Sequence, residues 1–274
     1  METVQEMAQE IRKIIYKIAH FAGGGHMGAA FSVTDIISVL YFGGVLNYDI
    51  QNPDWENRDF FILSKGHACY ALYAALALAG FFSKEELWNV GRPGSCRGGH
   101  PKIHEIPGVE ASTGALGHGL SFGIGIAYAN KVDRKNNHTY VILGDGECQE
   151  GSIWEGALSA PTLELDNLTV IVDHNKLQAM DELEKIVQMQ PFAEKWKSFG
   201  WNVMEIDGHN YHEIRKALVS REERKPTMII ANTIKGKGVS FMENVPIWHY
   251  RMPNEEELEI LMEELGISEE ELKI

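Results

Sequence analysis

Five short apolar runs recur along the chain and predict buried strands. They lie at residues 59–63, 140–143, 168–172, 203–206 and 227–231. The stretches between them can form helices, and this alternation is typical of a parallel sheet that is covered on both faces. The pattern therefore predicts an α/β fold, a doubly wound parallel sheet with helices on both faces.

Helical periodicity is clearest near the N-terminus. The first 20 residues carry isoleucines at helical spacing, at Ile11, Ile14, Ile15 and Ile18. This stripe predicts an amphipathic helix rather than a signal peptide. The longest apolar run, residues 68–82, is too short to cross a membrane and predicts a buried helix.

The C-terminal segment, about residues 254–274, is predicted to be an acidic helical tail. It holds nine Glu and one Lys. Asn254 can cap a helix that ends at Gly266, and Ser268 with Glu271 can form a capping box for a last turn. Two interpretations stay open, a docking tail for a partner and a solvated terminal helix, and the second is favoured.

Composition adds little beyond this pattern. The chain has 274 residues, 44% of them hydrophobic, which suffices for one large core, so residues 1–274 are predicted to form a single domain. The net charge of −14 and the absence of a basic stripe argue against nucleic acid as a partner. Cys69, Cys96 and Cys148 form no disulfide framework, which predicts a reducing, cytoplasmic location. The short apolar runs predict no membrane association.

The most informative stretch is a predicted strand–helix–strand unit at residues 139–175. Its first strand ends at the tripeptide Gly-Asp-Gly, residues 144–146, a helix can form over residues 152–160, and its second strand ends before Asn175. A crossover of this kind makes the two strands parallel. Asp145 and Asn175 are therefore expected at the same carboxyl edge of the sheet, where open α/β folds bind ligands.

Asp145 and Asn175 carry the oxygen ligands that Mg²⁺ prefers. A carboxylate, an amide oxygen and the backbone carbonyl of Leu177 would supply three ligands, and a diphosphate and a water could complete the set. Gly144 and Gly146 let the backbone approach a phosphate closely. A lone Gly-Asp-Gly is more often an ordinary turn, but the later Asn after a second apolar strand favours a metal site.

These residues resemble the thiamine diphosphate signature of the transketolase family. Further segments match the family in the same order, over nearly the whole chain from about residue 20 to residue 250. They are Gly25-His26, Ser64-Lys65-Gly66-His67-Ala68, Gly99-His100-Pro101, residues 112–119 (STGALGHG), Asp207-Gly208-His209 and Trp248-His249. The chain resembles the N-terminal, diphosphate-binding part of the enzyme, as in transketolases encoded by two genes.

The resemblance implies thiamine diphosphate and Mg²⁺ as cofactors, with Ca²⁺ or Mn²⁺ as possible substitutes. It implies catalytic roles for His26, His67, His100 and His249, and cofactor contacts from His67, Gly114, Leu116, Gly144, Asp145, Gly146, Glu150, Asn175 and His249. It further implies Asp145, Asn175 and Leu177 as metal ligands, and His26, His100, Lys235 and His249 as substrate contacts. A single histidine beside glycine is more often structural, and His209 is predicted to be structural. Several histidines beside glycines in one chain suggest a polar pocket.

The resemblance also implies partners. In the family a glutamate that activates the cofactor lies on a pyrimidine-binding domain, so the chain is expected to need a separate C-terminal, pyrimidine-binding subunit. Glu150 matches a glutamate that faces its symmetry mate, which implies a second copy and a heterotetramer of two plus two. The expected reaction transfers a two-carbon ketol unit between ketose and aldose phosphates, as in the pentose phosphate pathway.

Other functions stay open at this point. The diphosphate motif is shared by related thiamine enzymes, such as deoxyxylulose phosphate synthases and sugar-specific transketolase relatives, and by the α subunits of 2-oxo acid dehydrogenases. A non-catalytic subunit could also retain the fold. A generic nucleotide-binding protein is disfavoured because the chain has no GxxxxGK[ST] loop. Met27, Ala115 and His118 depart from the usual family pattern, which concerns substrate preference more than cofactor binding.

Three further expectations concern individual residues. Gly123 and Gly125 are expected to allow close packing between a helix and a strand. Glu147 and Glu150 lie in an acidic loop, where each is by default a solvated charge. The glycine-rich segment that holds Lys235 and Lys237 is also more often solvated, although Lys235 with His249 fits the family's loop over the active site.

Overall fold

The computed structural model describes residues 2–95, 97–179 and 181–273, and within them five strands form one parallel sheet. The strands are β1 (Phe60–Leu63), β2 (Thr139–Gly144), β3 (Leu168–His174), β4 (Asn202–Asp207) and β5 (Thr227–Asn232). They are arranged in the order β1-β2-β3-β5-β4, and every neighbouring pair is parallel. The predicted runs and the predicted fold are confirmed; β2 to β5 extend one or two residues further toward the carboxyl edge than predicted.

Helices connect the strands and cover the sheet. The α-helices are α1 (Glu2–Ala22), α2 (Met27–Phe42), α3 (Cys69–Ala79), α4 (Gly119–Val132), α5 (Gly151–Thr162), α6 (Leu183–Ile186), α7 (Phe192–Ser198), α8 (Tyr211–Leu218) and α9 (Glu255–Leu265). Short 3₁₀ turns lie at Gly66–Ala68, Lys84–Asn89, Gly146–Gln149, Pro246–His249 and Glu269–Leu272. The run predicted as one helix over residues 68–82 is the 3₁₀ turn followed by α3, which ends at Gly80 because that residue is left-handed, with φ 94°.

Side chains alternate between the two faces of the sheet, and each face has its own core. On one face Phe61, Ile142 and Ile171 pack with α1, α2 and α3. On the other face Val141 and Val172 pack with α4, α5 and α7. The two helical layers leave the carboxyl edge of the strands open between them.

The acidic tail packs on the N-terminal helix. Asn254 and Glu257 form a capping box at the start of α9, with both N–H···O distances at 2.9 Å. Gly266 ends α9 in a left-handed conformation, and Leu261 and Leu265 are buried in the core that α1 shares. The apolar face of α9 is thus covered within the chain and most of its glutamates are exposed, in line with the interpretation of a solvated terminal helix.

Cys69 and Cys148 are buried free thiols, while Cys96 lies outside the described residues. None of the helices that the structure describes combines the length and the apolar character needed to cross a bilayer.

Gly123 and Gly125 differ sharply in their surroundings. A Cβ atom at Gly123 would lie 2.4 Å from Cγ2 of Val141 on β2, so this position holds α4 close to the sheet as predicted. Gly125 is exposed, and a Cβ atom there would meet nothing within 4 Å. The prediction of close packing is therefore wrong for Gly125, because it lies on the opposite face of α4.

This difference predicts a contrast in stability. Gly123→Ala should lower the free energy of unfolding relative to Gly125→Ala by about 1–3 kcal/mol, the usual cost of overpacking a core. Both variants gain the same helix propensity, about 1 kcal/mol, so their difference isolates the clash with Val141. Urea unfolding followed by circular dichroism measures it. Equal midpoints for the two variants would contradict the assigned packing.

Candidate active site

A cavity of about 340 Å³ opens at the carboxyl edge of the sheet, where β2 and β3 end. It is lined by all but one of the predicted site residues, namely His26, His67, Gly114, Leu116, Gly144, Asp145, Gly146, Glu150, Asn175, Leu177, Lys235 and His249. The exception is His100, which is exposed and whose ring centroid lies 6.1 Å from that of His26. The fold therefore gathers into one place residues that are spread over more than 200 positions of sequence.

Asp145 lies at one end of this cavity, directly after β2. Its carboxylate is buried and accepts hydrogen bonds from the backbone N–H groups of Gly146, at 2.7 Å, and Lys176, at 2.6 Å. Burial, and after it the neighbouring carboxylate of Asp173, raise the pKa of Asp145 to about 7. A raised pKa means that the charged form of this carboxylate is disfavoured, and a nearby cation would stabilise it.

Asp173, near the end of β3, is a hub of buried polar contacts. It is fully buried and accepts hydrogen bonds from Ser32 Oγ at 2.6 Å, from Thr233 Oγ1 and from Asn175 Nδ2 at 3.0 Å, and it pairs with Lys65 Nζ. Burial by itself would raise the pKa of Asp173, but the charge of Lys65 and these hydrogen bonds outweigh it and lower that pKa. Asp173 is therefore a carboxylate that ties β1, α2, β3 and β5 together at the cavity floor.

The same contacts set the orientation of the Asn175 amide. Its Nδ2 donates to Asp173, and its Oδ1 accepts from the backbone N–H of Leu177 at 3.1 Å. The amide oxygen, which is the atom that could bind a cation, is thus kept away from Asp173. The position and the orientation of Asn175 follow from the strand end and from this buried carboxylate.

The donor set fits a hard divalent cation beside an anion. Asp145, Asn175 and Leu177 line one cavity and offer a carboxylate, an amide oxygen and a backbone carbonyl, the ligand types that Mg²⁺ takes. Among the residues that the structure describes, no three His, Cys, Asp or Glu side chains group as a metal cluster, and Asp145 is the one carboxylate of this donor set. Gln149 and Gln178 line the same cavity, and their buried Nε2 atoms have no hydrogen-bond partner among the described residues.

Glu147 is the clearest correction to the sequence expectations. It is not a solvated charge but is buried, and it accepts hydrogen bonds from Ser64 Oγ, from the N–H of Gly117 at 2.9 Å and from the N–H of Gly144 at 3.0 Å. Burial raises its pKa, and these donors act in the opposite direction. Glu147 thereby links the ends of β1 and β2 to the glycine-rich loop of residues 114–119. Glu150 is exposed, as expected.

The glycine-rich loop packs tightly against its neighbours. Gly117 has φ 85°, and a Cβ atom there would lie 2.5 Å from Ser152 Oγ. A Cβ atom at Gly114, where φ is 138°, would lie 2.9 Å from the ring of His100. This loop brings Gly114 and Leu116 to the cavity wall, and the close contacts explain why side chains are excluded at both glycines.

Three histidines, His26, His67 and His249, form a cluster at the other end of the cavity, with the exposed His100 beside it. The ring centroid of His26 lies 5.4 Å from that of His67 and 5.0 Å from that of His249, and those of His67 and His249 are 5.7 Å apart. Burial lowers the pKa of His26 and of His249 to about 4, with further contributions from neighbouring histidines and from Lys235 and Lys65. Burial also lowers the pKa of His67 and of His100. At neutral pH the cluster is uncharged and can both donate and accept hydrogen bonds.

The lowered pKa of His26 has a consequence for stability. The unfolded chain binds a proton at this side chain below about pH 6.5, and the folded chain does so only near pH 4. The free energy of unfolding should therefore fall as the pH drops from about 6.5 to 4, and His26→Asn should make this fall shallower. Urea unfolding of the cofactor-free chain at several pH values tests this. The matched control is His212→Asn, at an exposed position on α8, which should leave the slope as in the wild type.

Two lysines lie between the histidines and the acidic end of the cavity. Lys65 and Lys235 are both buried, so the solvated interpretation is wrong for Lys235, whereas Lys237 is partly exposed beside Glu243. Burial, and after it the charge of Lys65, lower the pKa of Lys235 to about 8. Lys65 is paired with the buried Asp173, whereas Lys235 contacts the backbone carbonyl of Gln178 and the ring of His249.

His209 has a structural position, as predicted. Its Nδ1 lies 2.7 Å from Asp35, and its Nε2 accepts from the backbone N–H of Ile234 at 2.9 Å. Both ring nitrogens are engaged by the protein, away from the cavity lining.

Sequence reasoning assigned no role to several residues of this site. Lys65, Glu147, Gln149 and Gln178 line the cavity, and Asp173 orients Asn175 beneath it. Lys65 lies within a matched motif, and Asp173 lies two residues before Asn175, so both were visible as candidates. The two glutamines carry no pattern that would single them out.

Comparison with known proteins places the chain beside thiamine enzymes. The family model described as "Transketolase, thiamine diphosphate binding domain" matches residues 3–274. The chain is 39% identical over 275 residues to one of the subunits of the apulose-4-phosphate transketolase of Phocaeicola vulgatus, covering 100% of this chain and 97% of that protein. It is 43% identical over 242 residues to the 6-deoxy-6-sulfo-D-fructose transketolase subunit SqwG of a Clostridium species, covering 88% of each.

Longer transketolases are similar to the chain over a part of their length. Human transketolase is 36% identical over 250 residues, which are 91% of this chain and 40% of that protein. The crystal structure of transketolase from Campylobacter jejuni superposes with a TM-score of 0.90 at 32% identity, covering 100% of this chain and 44% of that one. The chain thus spans about two fifths of the length of these enzymes.

Proposed function

Because the chain belongs to the transketolase family, as its thiamine diphosphate-binding domain, we propose that it is the diphosphate-binding subunit of a two-chain transketolase. The observation that carries this proposal is the shared cavity. It joins Asp145 and Asn175, at the ends of adjacent strands, to the cluster of His26, His67 and His249. A diphosphate site and a neutral polar pocket for a hydroxylated substrate are the two parts that ketol transfer needs.

The proposed cofactors are thiamine diphosphate and Mg²⁺, with Ca²⁺ or Mn²⁺ as substitutes. Asp145, Asn175 and the carbonyl of Leu177 hold the metal, Gly144 and Gly146 lie against the diphosphate, and the free amides of Gln149 and Gln178 can donate to its oxygens. When bound, the cofactor supplies a carbon nucleophile and an electron sink for the two-carbon unit. The donor chemistry and the nearby Lys65 and Lys235 support this assignment.

The protein's own groups then bind and orient the sugar and handle its protons. His67 and His249 lie within the cavity and are proposed to contact both cofactor and substrate, while His26 and the exposed His100 contact the substrate's hydroxyl groups. Burial lowers the pKa of all four rings, so they are neutral near pH 7, and each can donate a hydrogen bond through its N–H and accept a hydrogen bond or a proton at its other ring nitrogen. Gly114 and Leu116 form the wall toward the pyrimidine, and Lys235 lies beside the substrate pocket.

A separate pyrimidine-binding subunit is the proposed partner. Two relatives that this chain covers over 97% and 88% of their length are named as subunits, whereas human transketolase, of which it covers 40%, is more than twice as long. Exposed apolar side chains beside the cavity support the docking of a partner there. Ile247 is 63% exposed, and Tyr250, whose ring lies 4.9 Å from that of His26, is 61% exposed.

A second copy of the chain is proposed to complete a heterotetramer of two plus two. Glu150, at the start of α5, is exposed beside the cavity. The adjoining helices α4 and α5 expose Phe122, Val132 and Leu158. Apolar side chains exposed on these two helices, together with the exposed Glu150, support pairing of two copies on this side.

We propose ketose and aldose phosphates as substrates and the cytoplasm as the location. The relatives' names specify different sugars, apulose 4-phosphate for one and 6-deoxy-6-sulfo-D-fructose for another, so the pentose phosphate pathway is one of several settings in which the chain can act. The matches to transketolase subunits favour this reaction over those of deoxyxylulose phosphate synthases and 2-oxo acid dehydrogenases.

Ketol transfer from xylulose 5-phosphate to ribose 5-phosphate, with thiamine diphosphate and Mg²⁺, tests the proposal. The chain by itself, the candidate pyrimidine-binding subunit by itself and their mixture are compared, and apulose 4-phosphate and 6-deoxy-6-sulfofructose serve as alternative donors. Activity only in the mixture is expected, with the donor profile naming the substrate. Transfer by the rigorously purified chain on its own would overturn the two-chain proposal, and a formed complex inactive on every donor would favour a non-catalytic subunit.

A further inference from the structure

Lys235 lines the cavity, yet its ammonium group is engaged by the protein. Nζ donates to the backbone carbonyl of Gln178 at 3.0 Å and lies 3.3 Å from Nδ1 of His249. The side chain is 1% exposed, so no water shell competes for these contacts. Two of the three ammonium protons thus have partners that are not a substrate.

The loop that carries Lys235 is fixed on both sides. The N–H of Ile234 donates to His209 Nε2 at 2.9 Å, and His209 in turn lies 2.7 Å from the buried Asp35. The N–H of Gly236 donates to the carbonyl of Gly28 at 3.0 Å, and the carbonyl of Lys235 accepts from Asn244 at 2.9 Å. The backbone at Lys235 is therefore held in place by hydrogen bonds on both sides, unlike that of a solvated loop.

Space around the pair is equally restricted. A Cβ atom at Gly28 would lie 2.8 Å from the carbonyl oxygen of Trp248 and 3.4 Å from Cγ of Lys235. The residue before His249 and the stem of Lys235 thus pack against the same small surface of α2. This packing holds the two side chains together through the backbone.

The chemistry of the pair allows one arrangement of protons. An ammonium group has no lone pair and can only donate, so Nδ1 of His249 must be the acceptor. In a neutral ring the single N–H is then at Nε2. The groups that face His249 are Lys235, Lys65, His26 and His67, and none of them favours a charged ring.

We propose that Lys235 is a positioning residue, which holds His249 in the Nε2–H tautomer so that His249 faces the cavity as a hydrogen-bond donor. This role refines the expected substrate contact of Lys235. The significance of the donor rests on the proposed function, but the tautomer itself does not, since it is a property of the chain alone. A substrate oxygen that gains negative charge during the reaction is the acceptor that such a donor suits.

Nuclear magnetic resonance of the full chain labelled with ¹⁵N-histidine tests the proposal without cofactor, substrate or partner. His249→Gln assigns the resonance. The wild type should show His249 as a single Nε2–H tautomer, and Lys235→Met should convert it into a mixture of tautomers, with a pKa that rises from about 4 toward the ordinary value. Lys235→Arg keeps a charged donor and should retain the single tautomer.

Lys237→Met is the matched control, because Lys237 lies in the same loop but pairs with Glu243 at 3.2 Å and should leave His249 unchanged. A wild-type His249 protonated at Nδ1 would overturn the proposal even if no variant folds. An unchanged single tautomer in Lys235→Met would overturn it as well. In the assembled enzyme, Lys235→Met should lower kcat by about tenfold or more. The loss should stay below the 10²–10⁴-fold that a proton-transferring group supplies.

Discussion

The Asp145→Asn variant is expected to lose Mg²⁺-dependent binding of thiamine diphosphate and to lower ketol transfer by the assembled enzyme more than about 100-fold. Residues that merely support metal ligands already contribute about 10–100-fold to affinity or activity, and Asp145 supplies the only carboxylate of the proposed donor set. Asparagine keeps the shape of the side chain and removes its negative charge. Isothermal titration with thiamine diphosphate, with and without Mg²⁺, measures binding to the chain directly.

The control for this variant is Asp133→Asn, at an exposed position after α4. It removes the same charge far from the cavity and should bind the cofactor as the wild type does. Thermal unfolding of both variants separates loss of binding from loss of fold. Retained Mg²⁺-dependent binding in a folded Asp145→Asn variant would show that the metal is held elsewhere.

The Lys65→Met variant is expected to lower the free energy of unfolding by about 3–5 kcal/mol, the usual effect of removing one partner of a buried ion pair. Lys65 and Asp173 are 1% and 0% exposed, and the carboxylate would be left buried without its cation. Ser32, Thr233 and Asn175 would still donate to Asp173, which limits the effect to this range. Urea unfolding of the cofactor-free chain measures it.

A second substitution identifies the cause. Adding Asp173→Asn to Lys65→Met removes the unpaired charge, so the double variant should recover part of the lost stability. Lys185→Met, which removes a lysine from an exposed pair with Glu182, serves as the surface control and should unfold as the wild type does. A Lys65→Met variant as stable as this control would mean that the buried pair contributes nothing to the folded state.

The sequence determined the fold and the position of the site. Four of the five strands are short apolar runs, and this signal is local, because a strand that is buried on both faces needs apolar residues at nearly every position. The edge strand β4 is only partly buried and carries Glu205 at an exposed position. The handedness of the crossover then requires Asp145 and Asn175 to end on one edge. Local signals also predicted the C-terminal helix, whose cap at Asn254 and end at Gly266 the structure confirms, together with the capping box of Ser268 and Glu271.

Only the tertiary structure decided which polar residues are buried and what they contact. Glu147 and Glu150 stand three positions apart in the same acidic loop, yet one is a buried acceptor and the other is exposed. The donors to Glu147 come from Ser64, Gly117 and Gly144, which are far apart in sequence. No local pattern encodes such a meeting of segments, because it depends on how the strand ends and loops pack together.

The same reason separates Gly123 from Gly125, and Lys235 from Lys237. Each pair has identical residue types two positions apart, and each splits into one residue enclosed by distant segments and one at or near the surface. Sequence periodicity predicts that a helix or a loop is present there. Contacts between residues far apart in sequence decide which side of the helix or loop, and which of its side chains, packs against another segment. These contacts exist only in the folded chain.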